Sequence, residues 1–146
     1  MIVIQNTTQD ARVDESSLSN IMQSVIEGLG NGDSELVIRI VDRDEIRLLN
    51  NTYRQKDKTT NILSFENNLP EEIDEKILGD LVICTEVVSD EANEQNKTFN
   101  DHMVHISVHG VLHLMGYDHI EEGEASDMES IEINILQKIG ISNPYQ

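Results

Sequence analysis

The chain has 146 residues, 38% of them hydrophobic, with 28 acidic and 10 basic side chains and a formal net charge of −18. That length suits one domain, 1–146, with a single core. The charge, taken alone, argues against nucleic acid, because phosphate binding needs cationic contacts. No apolar run approaches 18 residues, so no transmembrane helix and no membrane partner are expected.

The start, Met1-Ile2-Val3-Ile4-Gln5-Asn6, lacks the basic and apolar regions of a signal peptide. Its Ile2–Ile4 portion reads as a short first strand. Leu18, Ile21, Met22, Val25, Ile26 and Leu29 recur at helical spacing over 17–29, and Gly30 ends that helix. Glu35–Val41, rich in Val and Ile, is a second strand. Asp42 followed by Glu45 forms a capping box and predicts a helix over about 43–53. Thr60–Phe65 is a third strand. Asn67, Asn68, Pro70 and the acidic stretch to Glu75 form a surface loop, and Leu78–Cys84 is a fourth strand. Helices follow near 86–95, over 101–115 with Asn100 as its cap, and over 121–139. In the last of these, Ala125, Met128, Ile131, Ile135 and Ile139 point inward. Four strands and five helices in a small chain predict an α+β fold built on a mixed sheet. The single cysteine, Cys84, lies in an apolar run. It reads as a buried small hydrophobe, and the absence of a possible internal disulfide suits a reducing cytoplasm.

All five histidines fall between 102 and 119. On a helix His102, His105, His109 and His113 occupy about an 80° sector, with Val104, Val108, Val111 and Met115 opposite. The helix is expected to bury one flank and line a site with the other. His109 and His113 leave one face a turn apart. Gly116 then lets the chain reverse through the left-handed region and bring His119 back to them. Three neutral imidazoles with one open position form the ligand set of a catalytic zinc. For His102 and His105 a solvated helix face is an equal alternative. The spacing H-x-x-x-H-x-x-G-x-x-H also occurs in metzincin proteases, but there a glutamate follows the first histidine and serves as general base. Here that position is Gly110, which argues against a peptidase and leaves the metal site intact.

The window 39–58 is the basic part of the chain. Arg39, Arg43, Arg47, Arg54, Lys56 and Lys58 stand against Asp42, Asp44, Glu45 and Asp57. A phosphate-binding face and a solvated face of mixed charge are both consistent with it. Arg54, at a predicted helix end, gains about 0.3–1 kcal/mol from the helix dipole. Its planar guanidinium can instead hold two phosphate oxygens and stabilise charge in a transition state. Zinc beside an arginine suits a phosphodiester better than a peptide.

Three motifs, His109-Gly-Val-Leu-His113-Leu-Met-Gly116-Tyr-Asp-His119, Tyr53-Arg54-Gln-Lys56-Asp57-Lys-Thr-Thr60-Asn61-Ile-Leu63-Ser64-Phe65 and Gly79-Asp80-Leu-Val-Ile-Cys84, together resemble the YbeY family of bacterial endoribonucleases, also called rRNA maturation factors. The resemblance covers nearly the whole chain. Thr59 and Glu66 stand where the family usually has proline, a residue that stiffens the turn and closes the strand. The resemblance implies a small four-stranded mixed sheet packed with about five helices, one of them zincin-like and bearing the histidines. It implies one zinc ion held by His109, His113 and His119, with Arg54 as the catalytic arginine. It further implies a single-strand-specific endoribonuclease acting in 16S rRNA 3′-end maturation and ribosome quality control. The partners would be ribosomal RNA and the ribosome or its proteins, not DNA. The proton acceptor stays open between zinc hydroxide, Asp118 and the substrate's own 2′-hydroxyl. Asp118 is better read as fixing the turn, and Tyr117 as packing in it. The alternatives are another zinc hydrolase, such as a peptidase, and a metal-stabilised assembly factor that binds without cutting.

Overall fold

The computed structural model describes residues 1–66, 76–117 and 122–145, with only the backbone for 122–126. Its elements are β1 (Ile2–Asn6), α1 (Glu15–Gly28), β2 (Glu35–Val41), α2 (Arg43–Arg54), β3 (Ile62–Glu66), β4 (Ile77–Cys84), α3 (Thr85–Glu94), α4 (Phe99–Leu114) and α5 (Glu122–Lys138). The sheet order is β1-β2-β4-β3. β1 and β4 run parallel to β2, and β3 runs antiparallel to β4. This is the α+β fold with a four-stranded mixed sheet and five helices that the sequence predicts. The predicted loop from Asn67 to Glu75 lies outside the described residues.

Alternation along the strands builds two layers. Leu36, Ile38, Ile40, Leu81 and Ile83 point into a core shared with Leu18, Met22 and Ile26 of α1 and Val104, Val108, Val111 and Leu112 of α4. Val41, Leu63, Val82 and Cys84 point the other way, onto Ile46 of α2. Each buried Leu or Ile contributes about 1.5–3 kcal/mol of transfer free energy. The helices start on capping side chains. Asp14 accepts from the Ser17 N–H, Asp42 from Glu45 and Thr98 from Asp101.

Three expectations change. Helix α4 is capped by Thr98, and Asn100 lies within its first turn. The cap is chosen by which side chain reaches the N3 amide, and Thr98 does so at 3.1 Å. Helix α4 is also central rather than one-sided. It packs on β3 and β4 and on α1, α3 and α5, so Met103, Ile106, Ser107 and Gly110 are buried with the valine stripe. Among the described side chains of α5 the fully buried ones are Met128, Glu132 and Leu136, while Ile131 and Ile135, and Ile139 just after the helix, are only partly buried. Met128 is buried as predicted, and beyond it the most buried line passes one residue from the predicted isoleucines, through a carboxylate that His105, His109 and Tyr145 hold. The side chain of Ala125 lies outside the described residues.

Close approach sets where α4 sits on the sheet. A Cβ on Gly110 would come within 2.6 Å of Ile62 Cδ1 and 2.7 Å of Leu81 Cδ2. Gly110 therefore lies against the sheet and brings the next face of α4, which carries His109 and His113, to the edge of β3.

Candidate active site

Helix α4 ends in a Schellman turn. The Gly116 N–H donates to the His113 carbonyl at 3.0 Å and the Tyr117 N–H to the Leu112 carbonyl at 3.1 Å. Gly116 takes φ +97°, which a Cβ would oppose. The chain turns sharply just after His113, and Tyr117, expected to pack within the turn, packs from it against the core. His119 and Asp118 lie outside the described residues.

His109 and His113 converge. Their ring centroids are 4.6 Å apart with planes at 78°, and their Nε2 atoms are separated by 3.0 Å. Two imidazole nitrogens on one tetrahedral zinc, each about 2.0–2.1 Å from it, lie about 3.3–3.4 Å apart. The pair therefore needs to open by only a few tenths of an ångström. Among the described residues no three His, Cys, Asp or Glu side chains are grouped to hold a metal. The donor set fits zinc with the two imidazoles as neutral nitrogen ligands and a third ligand from outside these residues.

Behind His109 stands Glu132 of α5. It is fully buried, faces His109 Nδ1 through Oε1, and accepts the Tyr145 hydroxyl through Oε2. His105 Nε2 lies 3.5 Å from the same Oε2. Burial alone raises the Glu132 pKa, but its contacts with His105, His109 and Tyr145 outweigh burial and hold it at about 2. Burial, then the adjacent carboxylate, pushes the Tyr145 hydroxyl pKa up. With Nδ1–H of His109 donating to Glu132, Nε2 keeps its lone pair for a metal.

A second carboxylate orders the far end of the same face. Glu91 of α3 accepts from Asn61 Nδ2 at 3.1 Å and lies 3.1 Å from His102 Nε2. His102 is 2% exposed, and burial lowers its pKa against the opposing pull of Glu91. Neither His102 nor His105 belongs to a solvated helix face. Both line the cleft described next.

That cleft has a volume of about 500 Å³ and is bordered by Arg54, Asn61, Ser64, His105, His109 and His113 among its residues. Arg54 is the last residue of α2, where Gln55 takes a left-handed φ of 57°. Buried Asn50 donates Nδ2 to the Lys58 carbonyl at 2.9 Å, which folds the following turn back on the helix. Of the basic window, Arg39 pairs with Glu45 at 3.1 Å, Arg43 with Glu86 at 3.0 Å and Arg47 with Asp57 at 2.8 Å. Arg54, Lys56 and Lys58 make no ion pair with a described residue. The broad phosphate-binding face thus reduces to the end of α2 and the turn after it, and there Arg54 borders the cleft shared with the two histidines.

Sequence reasoning missed Glu132, Glu91 and Tyr145. Glu132 did leave a signal, since it sits four residues from both Met128 and Leu136 on the apolar stripe, where an unpaired charge would be costly. Cys84 is fully buried as expected, and burial raises its thiol pKa. No described helix is long and apolar enough to cross a membrane.

The family profile described as Endoribonuclease YbeY matches residues 3–140. A protein named Endoribonuclease YbeY from Ruthia magnifica subsp. Calyptogena magnifica is 56% identical over 145 residues, 99% of this chain and 100% of that one. One of the same name from Vesicomyosocius okutanii subsp. Calyptogena okutanii is 54% identical over 145 residues, with the same coverage. The solution structure of TM1509 from Thermotoga maritima superposes with a TM-score of 0.69 at 26% identity, covering 95% of this chain and 89% of that one.

Proposed function

The chain belongs to the YbeY endoribonuclease family, and from that premise and the geometry of the cleft we propose that it is a zinc-dependent, single-strand-specific endoribonuclease. Its substrate is ribosomal RNA, in 16S 3′-end maturation and ribosome quality control, and residues 1–146 act as one domain. The carrying observation is that the His109 and His113 Nε2 atoms meet at 3.0 Å in a cleft that Arg54 also borders. His109, His113 and His119 are the metal ligands. Zinc held there supplies Lewis acidity toward a phosphate oxygen and lowers the pKa of a water to about 7.

The protein's own groups do the rest. Arg54 grips the scissile phosphate through paired N–H donors and stabilises the charge that grows on its oxygens. Glu132 accepts the hydrogen bond of His109 Nδ1–H, so that the Nε2 lone pair faces the site. Position 110 packs on Ile62 and Leu81, so no side chain there can reach the cleft as the protease glutamate would. That geometry favours phosphodiester over peptide hydrolysis. The net charge of −18 suits basic ribosomal-protein partners better than free nucleic acid. The one cysteine, buried and reduced, fits the cytoplasm.

The test is metal content and cleavage of single-stranded against structured RNA by wild type, His113→Ala and Arg54→Ala. His113→Ala is expected to lose metal and activity, and Arg54→Ala to keep metal and lose activity. Equal metal in wild type and His113→Ala refutes the site. Full metal loading of wild type with no cleavage above the His113→Ala background makes the protein a binding factor.

A further inference from the structure

The buried carboxylate of Glu132 needs an explanation of its own. It is fully inaccessible, and taking a carboxylate out of water costs several kcal/mol unless it is compensated. Among the described residues no Lys or Arg pairs with it. Its contacts there are the imidazoles of His105 and His109 and the hydroxyl of Tyr145. An anion buried among imidazoles and a phenol is balanced when positive charge resides on the far side of one of those rings. His109 presents its opposite nitrogen to His113 and the cleft. The carboxylate is also held from two directions. It rides on α5, and Tyr145 reaches it from the segment after that helix, where the Tyr145 N–H donates to Asn143 Oδ1 at 2.9 Å. The Tyr145 ring stands edge-on to His105 at 6.0 Å, and Pro144 and Tyr145 wall the cleft.

We propose that Glu132, braced by Tyr145, is the positioning residue of the metal site: it fixes the tautomer and ring orientation of His109, which makes α5 and the 143–145 segment part of the active centre. The inference rests on the zinc reading above. Partners of this kind, hydrogen-bonded to the back of a ligand histidine, change metal affinity by about 10–100-fold when removed. Glu132 sets which His109 nitrogen carries the proton, and Tyr145 removes the freedom of the carboxylate to turn away.

The test compares wild type, Glu132→Gln, Tyr145→Phe and His113→Ala. Zinc affinity is measured by competition with a chromogenic chelator, imidazole tautomers in metal-free protein by nitrogen–proton correlation NMR, and thermal unfolding without metal. Glu132→Gln is expected to bind zinc about 10–100-fold more weakly, with His109 no longer held as the Nδ1–H tautomer and with metal-free unfolding near that of wild type. Tyr145→Phe should fall between the two. Zinc affinity within twofold of wild type in Glu132→Gln, while His113→Ala loses zinc, overturns the positioning role alone. Wild-type zinc affinity in His113→Ala overturns the site beneath it. Loss of zinc in Glu132→Gln matched by loss of the metal-free fold assigns Glu132 a structural role and also overturns the proposal.

Discussion

Replacing Gly110 tests how the fold holds the site. In an open helix, Gly→Ala is stabilising by about 1 kcal/mol, because alanine restricts the unfolded chain and favours helix. Here the new methyl would sit 2.6 Å from Ile62 Cδ1 and 2.7 Å from Leu81 Cδ2, about 1 Å inside ordinary carbon–carbon contact. Ile62 is partly exposed at the cleft and can yield by rotation. Leu81 is fully buried on β4, between β2 and β3, and its methyl can yield only by displacing packed neighbours. Overpacking of this kind costs about 1–3 kcal/mol. Set against the propensity gain, it leaves Gly110→Ala destabilised by about 1 kcal/mol, or about 2–4 °C in melting temperature for a chain of this size. Gly110→Glu, which restores the protease motif, adds burial of a carboxylate and should cost several kcal/mol more, without gaining peptidase activity. Urea titration of the three proteins is the assay. A Gly110→Ala protein more stable than wild type by the full helix-propensity gain would refute the close-packing argument.

Other expectations follow from the same structure. Gly79 adopts φ +148°, and a Cβ there would lie 2.6 Å from the Phe65 carbonyl oxygen, a backbone atom fixed by strand pairing. Gly79→Ala should therefore cost about 3 kcal/mol in a denaturation experiment, and a loss below about 0.5 kcal/mol would contradict it. Asp10 is held at about pKa 2, first by its hydrogen bond with Arg12, and it also accepts the Thr85 hydroxyl at 2.8 Å. A folded pKa below the ordinary 3.8 means stability that is present above that pH and is lost as pH falls toward 2. Wild type should exceed Asp10→Asn by about 1–2 kcal/mol at neutral pH, after allowance for solvent screening. The gap should close in acid, and a pH-independent gap would contradict the assignment. Cys84, buried with a raised thiol pKa, should react with a thiol reagent only on unfolding, and stoichiometric labelling of the native protein would count against that burial.

The pattern of apolar residues carried most of the fold. Period-3.6 spacing located α1 and α5, and the Asp42–Glu45 pair located the start of α2 to the residue. It failed where charge was equated with solvent. Glu132 interrupts the α5 stripe, where the pattern points to Ile131 and Ile135 instead, yet it is as buried as Met128 and Leu136. His102 and Glu91 are another such case, since neither is informative until α3 and α4 are packed side by side. The arginines failed in the opposite direction. Glu45 and Asp57, the partners of Arg39 and Arg47, are visible in the same window, but the spacing reveals nothing of Glu86 and Asp90, which come from α3 and satisfy Arg43. For the site, the residues that could be read were those whose meaning is local, namely the His109–His113 interval, the glycine turn and the helix-terminal Arg54.

Those paired arginines bear on ionic strength. A nuclease that gathers RNA through a broad cationic surface releases many counterions and weakens steeply with salt, by about 0.7 log units of affinity per decade for each phosphate neutralised on a single strand. With Arg39, Arg43 and Arg47 already paired with carboxylates, the cations that line the cleft are Arg54 and Lys97, with Lys56 and Lys58 following Arg54 in sequence. The salt slope of RNA binding is then shallow, about −2 to −3. A slope that shallow predicts low affinity for stray transcripts, since few counterions are released when they bind.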